Sequence, residues 1–176
     1  MSVIFLAGVH GVGKGFLGTP VASALGISHL TASQLIREEK GQATWGTDKK
    51  TSDLDDNQLA LIRAVAQSRL THPNILLDGH FVLRDAQGVL TPLAISVFKE
   101  LHLSGVILLT AAESVIGSRL ALRDKGIPDV QAISELAAAE LTHAQAICSE
   151  LELPLVKIHA PTLASLTDAV ARLLKS

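Results

Sequence analysis

The sequence has one cysteine, few aromatics, no long apolar run and no excess of either charge, and each shortage excludes something. Cys148, standing alone, rules out an intramolecular disulfide framework and a thiolate-rich zinc site, and is compatible with a reducing cytosol. It reads as a small buried apolar residue rather than a nucleophile. Fifteen Lys and Arg against 17 Asp and Glu leave a formal charge of -2, which gives no bulk attraction for nucleic acid or an acidic membrane. The opening apolar run, Val3 to Ala7, is far shorter than the ~18 to 20 residues of a membrane span and has no basic region before it, so no signal peptide is expected. No repeat, low-complexity tract or long Pro/Gly/Ser linker divides the chain. Its 176 residues, 48% hydrophobic, 18% charged and 3% aromatic, fit one domain over 1–176.

What is present is an alternation. Short apolar runs bounded by turn residues occur at Val3 to Ala7, Asn74 to Leu77, Gly105 to Thr110 and Leu155 to His159, with a weaker one at His29 to Thr31, and read as buried parallel strands. Helical spacing lies between them. Leu59, Ile62, Ala66 and Leu70 share one face and follow Asp55 and Gln58, a cap-like start. Ile133, Ala137, Leu141, Ala144, Cys148 and Leu151 mark a longer helix after Asp129, and Leu163, Leu166, Val170 and Leu173 the last one. This order predicts a parallel sheet between two helical layers, with ligands at the carboxyl ends of the strands. Lys40 to Asp56 and Arg123 to Pro128 resist the alternation and read as substrate-closing loops.

Directly after the first strand comes Gly8-Val9-His10-Gly11-Val12-Gly13-Lys14-Gly15, a G-x-x-x-x-G-K pattern that ends without its usual hydroxyl. Glycines with positive φ let successive backbone N–H groups point into one concavity, and the lysine adds a full charge at a helix N-terminus. Gly15 and Phe16 stand where a Ser or Thr would ligate magnesium. That ion often has few protein ligands because it keeps much of its hydration shell. Pro20 cannot donate to the Phe16 carbonyl, so the following helix is expected to kink or start late.

Asp78 ends the run Ile75-Leu76-Leu77, where it can orient a magnesium-bound water or the acceptor of a phosphoryl group, or serve as a turn aspartate. His80 either bonds the acceptor or braces the loop. Arg84, in a loop from Val82 to Gly88, is a candidate for the acceptor's phosphate. Arg119 and Arg123 share one face of a helix beginning near Glu113 and suit neutralisation of a transferring phosphoryl group; the alternative is a solvated basic face paired with Glu113 or Asp124.

On Gly8 to Lys14, on Asp78-Gly79-His80-Phe81-Val82-Leu83-Arg84 through Gly88, and on Ser118-Arg119-Leu120-Ala121-Leu122-Arg123-Asp124, the chain resembles P-loop nucleotide kinases. It is most similar to archaeal-type adenylate kinases and other small nucleoside-monophosphate kinases. The resemblance implies a three-layer α/β/α P-loop fold with a five-stranded parallel sheet, ATP and Mg²⁺, and transfer to a nucleoside monophosphate. It implies donor contacts from Gly8, His10, Gly11, Val12, Gly13, Lys14, Gly15, Phe16 and Arg119, with Ala160 and Pro161 against the adenine. Lys14, Asp78, Arg119 and Arg123 would carry catalysis, Asp78 holding the metal through water. An acceptor-binding insertion at about 32–56 would contribute Ser33 and Arg37, with His80 and Arg84 also facing the acceptor, and a short lid would span about 123–128. A cytoplasmic location and a homo-oligomer are in keeping with such relatives. A kinase for a nucleoside or metabolite alcohol, or a regulatory module that binds nucleotide with little catalysis, are the alternatives.

Overall fold

The computed structural model describes residues 1–41, 51–85, 87–124 and 129–175. The predicted alternation is realised: β1 (Ser2–Ala7), α1 (Lys14–Leu25), β2 (Ser28–Thr31), α2 (Ala32–Glu39), α3 (Thr51–Arg69), β3 (Asn74–Asp78), β4 (Val82–Arg84), β5 (Leu90–Pro92), α4 (Ile95–Glu100), β6 (Gly105–Thr110), α5 (Glu113–Asp124), α6 (Val130–Glu150), β7 (Leu155–His159) and α7 (Leu163–Leu173). Five strands form one parallel sheet in the order β2-β3-β1-β6-β7. From β1 the chain passes to β2 at the edge and returns to β3 on the same side, then crosses to β6 and β7 on the other. This puts a topological switch point at β1, where open α/β sheets bind ligands.

Both faces of the sheet are covered because β1, β3 and β6 are apolar on both sides. Val3, Phe5, Ile75, Leu77, Val106 and Leu108 enter one core with α3, α4 and α6, while Ile4, Leu6, Leu76, Ile107 and Leu109 enter the other with α1 and α7. The three-layer α/β/α architecture with five parallel strands is therefore the observed one. Asp129 caps α6 by accepting from the Ala132 N–H at 3.0 Å, and Thr162 and Ser165 form a reciprocal capping box on α7.

Three local expectations are corrected. α3 begins at Thr51, ahead of the cap-like Asp55, and buries Ala60, Leu61, Ala64 and Val65, while Leu59 and Leu70 are exposed. Two apolar stripes overlap in that sequence, and packing against α2 and the β-sheet selects the one running through Leu61 and Val65. α1 starts at Lys14 and runs continuously past Pro20, so its start is not delayed. Val82 to Gly88 begins a two-stranded antiparallel hairpin, β4 with β5, rather than a plain loop. Of the two irregular stretches, Thr51 to Asp56 is helical, whereas 42–50 and 125–128, the middle of the expected insertion and most of the expected lid, lie outside the described residues.

Candidate active site

The site grows from the carboxyl ends of β1 and β3, neighbours in register with Leu6 opposite Asp78. After Ala7 the chain turns through Gly8, Gly11 and Gly13 at φ of 139°, 81° and 110°, values that L side chains rarely adopt. At Gly8 a Cβ would come within 2.5 Å of the Leu109 carbonyl oxygen, so the loop can lie against β6 only without a side chain there. Gly13 caps α1 without a side-chain hydrogen bond, and the first helical bond runs from the Leu17 N–H to the Gly13 carbonyl. The N–H groups of Lys14, Gly15 and Phe16 precede that bond and form the positive end of the helix dipole, a geometry suited to an anion.

Lys14 folds back under this loop. Its Nζ donates to the carbonyls of Gly8 and Val9 and sits 3.8 Å from the Asp78 carboxylate. Burial lowers the Lys14 pKa, with Asp78 and Glu140 countering, while burial raises Asp78 to about 6 against the pull of Lys14. The opposing shifts are what a lysine and a carboxylate held apart from bulk water should show. Arg119, on α5, donates from Nη1 to the carbonyls of Gly11 at 3.1 Å and Val12 at 3.0 Å, so it braces the loop from outside the sheet. One turn further on, Arg123 lines the same cavity.

A partner that sequence reasoning missed is Glu140, only 1% exposed on α6. Its Oε2 accepts from the Phe81 N–H at 2.7 Å and its Oε1 lies 2.9 Å from His80 Nδ1, tying the turn after Asp78 to α6. Burial pushes Glu140 up to about 7 and, with Lys14 nearby, pulls His80 down to about 3, so His80 is neutral. The His80 ring also packs on His10 of the phosphate loop, centroids 4.4 Å apart. Of the two roles open to His80, bracing has direct contacts. A signal for Glu140 was present: it lies seven residues after Ile133 and four before Ala144, a carboxylate on the apolar face of α6.

The cavity has a volume of about 540 Å³, within the range of small-molecule sites. It takes in Lys14, Asp78, His80, Arg119 and Arg123, together with His10, Gly11, Gly13, Gly15, Phe16 and Ser33. It then continues past Asp78 to Phe5, Phe98, Leu61, Asn57 and Gln58, none of which the sequence singled out for function except Gln58 as part of a cap. Two expected acceptor contacts are not on its wall. Arg84 is turned to α6, donating to the Ala132 carbonyl at 3.1 Å and pairing with Glu135 at 3.4 Å, because the β4–β5 hairpin aims it there; Arg37 lies on α2 away from the lining. Ala160 and Pro161 follow β7, with the Ala160 N–H bonded to the Thr110 carbonyl at 2.8 Å, outside the cavity.

The residues fit a nucleotide's phosphates through the loop N–H groups and Lys14. For magnesium they offer one carboxylate, Asp78, and no hydroxyl after the lysine; among the described residues no group of three or more His, Cys, Asp or Glu could hold a metal. One carboxylate suffices for an ion that keeps several waters and binds mainly to phosphate oxygens.

The fold is similar to that of a shikimate kinase from Acinetobacter baumannii in complex with shikimate, at 17% identity and TM-score 0.63, covering 99% of this chain and 93% of that one. It is also similar to a gluconokinase from Sinorhizobium meliloti 1021, at 18% identity and TM-score 0.57 over 99% and 92%, and to a shikimate kinase from Bacteroides thetaiotaomicron, at 13% and 0.57 over 99% of each chain. These likenesses concern the fold. No curated protein matches the sequence. A family model described as AAA domain matches residues 7–137, which contain the phosphate loop, Asp78, Arg119 and Arg123, and the chain belongs to that AAA domain family.

Proposed function

We propose that the protein transfers a phosphoryl group from ATP to a small acceptor. The observation that carries this reading is that Lys14 and Asp78 meet 3.8 Å apart at the ends of adjacent strands, in a cavity that extends beyond the phosphate loop. A nucleotide-binding protein without an acceptor needs no such extension. Lys14 and the N–H groups of the loop would bind the donor phosphates, Arg119 and Arg123 would balance charge on the transferring group, and Asp78 would hold hydrated magnesium or orient the acceptor. Magnesium, when bound, supplies further neutralisation of the phosphate oxygens. The similarity to a shikimate kinase and a gluconokinase supports a small-molecule acceptor, while the resemblance to archaeal-type adenylate kinases extends the proposal to nucleoside monophosphates.

No helix among the described residues is long and apolar enough to cross a membrane. A cytoplasmic location suits an ATP-dependent reaction and the buried thiol of Cys148. The deciding experiment is a coupled assay for ADP with Mg²⁺-ATP and a panel of monophosphates, nucleosides and metabolite alcohols. ADP formed in proportion to one phosphorylated product supports the proposal, and folded protein that forms none with any acceptor rules it out. A regulatory module is the second reading, favoured by Gly15 and by Phe16, which is 86% exposed where a hydroxyl is usual. Substituting Gly15→Thr separates the two, since a large activation marks a degenerate site and little change marks a site already served by water.

A further inference from the structure

Past Asp78 the cavity lies between two helix faces. Ser33 and Ile36 line it from α2, and Lys40, at the C-cap of that helix, falls on the same face at the i, i+3, i+7 spacing. Asn57 and Leu61 line it from α3, one turn apart, with Gln58 beside them. Lys40 is half-buried and joins the two faces, its Nζ donating to Asn57 Oδ1 at 3.0 Å. An ammonium only donates, so Oδ1 is the accepting end of the amide and the NH₂ of Asn57 is the end left to donate. A residue of the wall thus offers a donor, with a cation bonded to the same amide.

The carboxylates next to these residues are engaged elsewhere or face solvent. Glu38 accepts from Gln34 Nε2 at 2.7 Å, Glu39 pairs with Arg63 at 3.0 Å, and Asp55 and Asp56 are exposed. Lys40 bonds a neutral amide, and a half-buried cation with a neutral partner retains its attraction for an anion. Its place is remote from the transfer. Thr31, the N-cap of α2, is opposite Asp78 in register, whereas Lys40 stands at the other end of that helix, roughly 12 Å along it at ~1.5 Å per residue. An anion held there is a different group from the oxygen that reacts beside Asp78. A helix C-terminus also favours a lysine through its dipole alone, and variants that change the charge separate the two uses.

Resting on the phosphotransfer reading, we propose that Lys40 and Asn57 form an anion subsite, and that the acceptor is an alcohol carrying a carboxylate or phosphate remote from the hydroxyl that reacts. The hydroxyl oxygen forms the new bond to the γ-phosphorus, the bond from that phosphorus to the β–γ bridging oxygen breaks with its electron pair retained by ADP, and the hydroxyl proton passes to solvent. The remote anion accepts from the Asn57 NH₂ in the field of Lys40 and stays unchanged.

The test uses the full chain with Mg²⁺-ATP and matched pairs of alcohols: gluconate with glucose, shikimate with its methyl ester, and ribose 5-phosphate with ribose. Nucleoside monophosphates are run beside them, and ADP and the phosphorylated product are read. One anionic member should exceed its neutral counterpart in kcat/KM by at least about tenfold, and its identity as an acid or a phosphate names the anion. Lys40→Gln keeps a donor for Asn57 but removes the charge. It should raise KM for the anionic member by about tenfold while leaving kcat, and kcat/KM for the neutral member, within about twofold; Lys40→Arg should restore most of the loss. Asn57→Asp, which can pair with Lys40 and so hold α2 to α3, should cost the anionic member at least as much, and serves if circular dichroism shows Lys40→Gln unfolded. Equal losses on both members, or an unchanged KM, overturn the subsite and leave Lys40 a tie between two helices. Preference for a neutral alcohol, or for a nucleoside monophosphate whose own phosphate takes the phosphoryl group, overturns the acceptor class while phosphotransfer stands. Absence of product from every acceptor, by protein whose melting temperature a non-hydrolysable ATP analogue still raises, removes the phosphotransfer reading and this proposal with it.

Discussion

The two ends of the cavity are built in opposite ways. The phosphate end is largely local: eight consecutive residues after β1 supply the turn glycines, the lysine and the helix N-terminus, and Asp78 from β3 and Arg119 and Arg123 from α5 complete it. The other end is assembled from β1, β2, α2, α3 and α4 and the segment before α4, each giving one to three side chains. Backbone groups and a fixed positive field bind phosphate of any nucleotide, so that end can be written as a short motif. An apolar chamber takes its selectivity from shape and from the placement of a few polar groups, which no single segment encodes.

Substitutions can break this comparison or sharpen it. Removing the charge at the local end should have the largest effect: Lys14→Ala should lower turnover by about a thousandfold, because the ammonium is worth most where charge builds up in transfer. Thermal unfolding should show the fold retained, since the removed group is an ammonium whose burial lowers its pKa. A variant that unfolds instead would make Lys14 part of the core.

Glu140→Gln probes the strut that joins the two ends through His80 and Phe81. Burial raises the folded-state pKa of Glu140 to about 7 from an ordinary 4.5, so its contribution to stability is fully present below about pH 4.5 and fades as pH rises through about 7. The glutamine does not titrate. Its deficit, about 1 to 2 kcal/mol near pH 4.5 from a poorer set of hydrogen bonds, should shrink toward pH 8 in denaturant melts. The Asp78 contribution runs the same way, being lost as pH rises toward about 6, but is common to both proteins. A deficit that instead grows with pH would show that ionised Glu140 is the form the fold favours.

Arg84→Ala should do least. Its pair with Glu135 is partly exposed, 23% and 52% for the two side chains, and such pairs contribute less than ~1 kcal/mol. Turnover within about twofold of the parent is expected in steady-state assays. A loss beyond tenfold would return Arg84 to the acceptor.

Much of the fold was legible because buried parallel strands declare themselves as apolar runs. Gly105–Thr110 and Leu155–His159 have the expected bounds, and α6 starts after Asp129 as its cap required. The face of α3 was misread because Leu59 and Leu70 are as apolar as Leu61, and composition cannot say which stripe the neighbours cover. The hairpin of β4 and β5 escaped notice because its strands are three residues each, too short for a period to show.

By itself the sequence determined the phosphate loop, the strand that ends in Asp78 and the basic pair on α5, because each depends on residues close together in the chain, and the loop also on backbone geometry that glycine permits. Tertiary structure decided the rest. It turned Arg84 away, brought Glu140 from α6 to the turn after Asp78, and drew Asn57, Gln58 and Leu61 of α3 to the cavity wall. Those outcomes depend on which surfaces pack together across many residues of chain, and burial, which sets the cost of every charge in the site, exists only once they have packed.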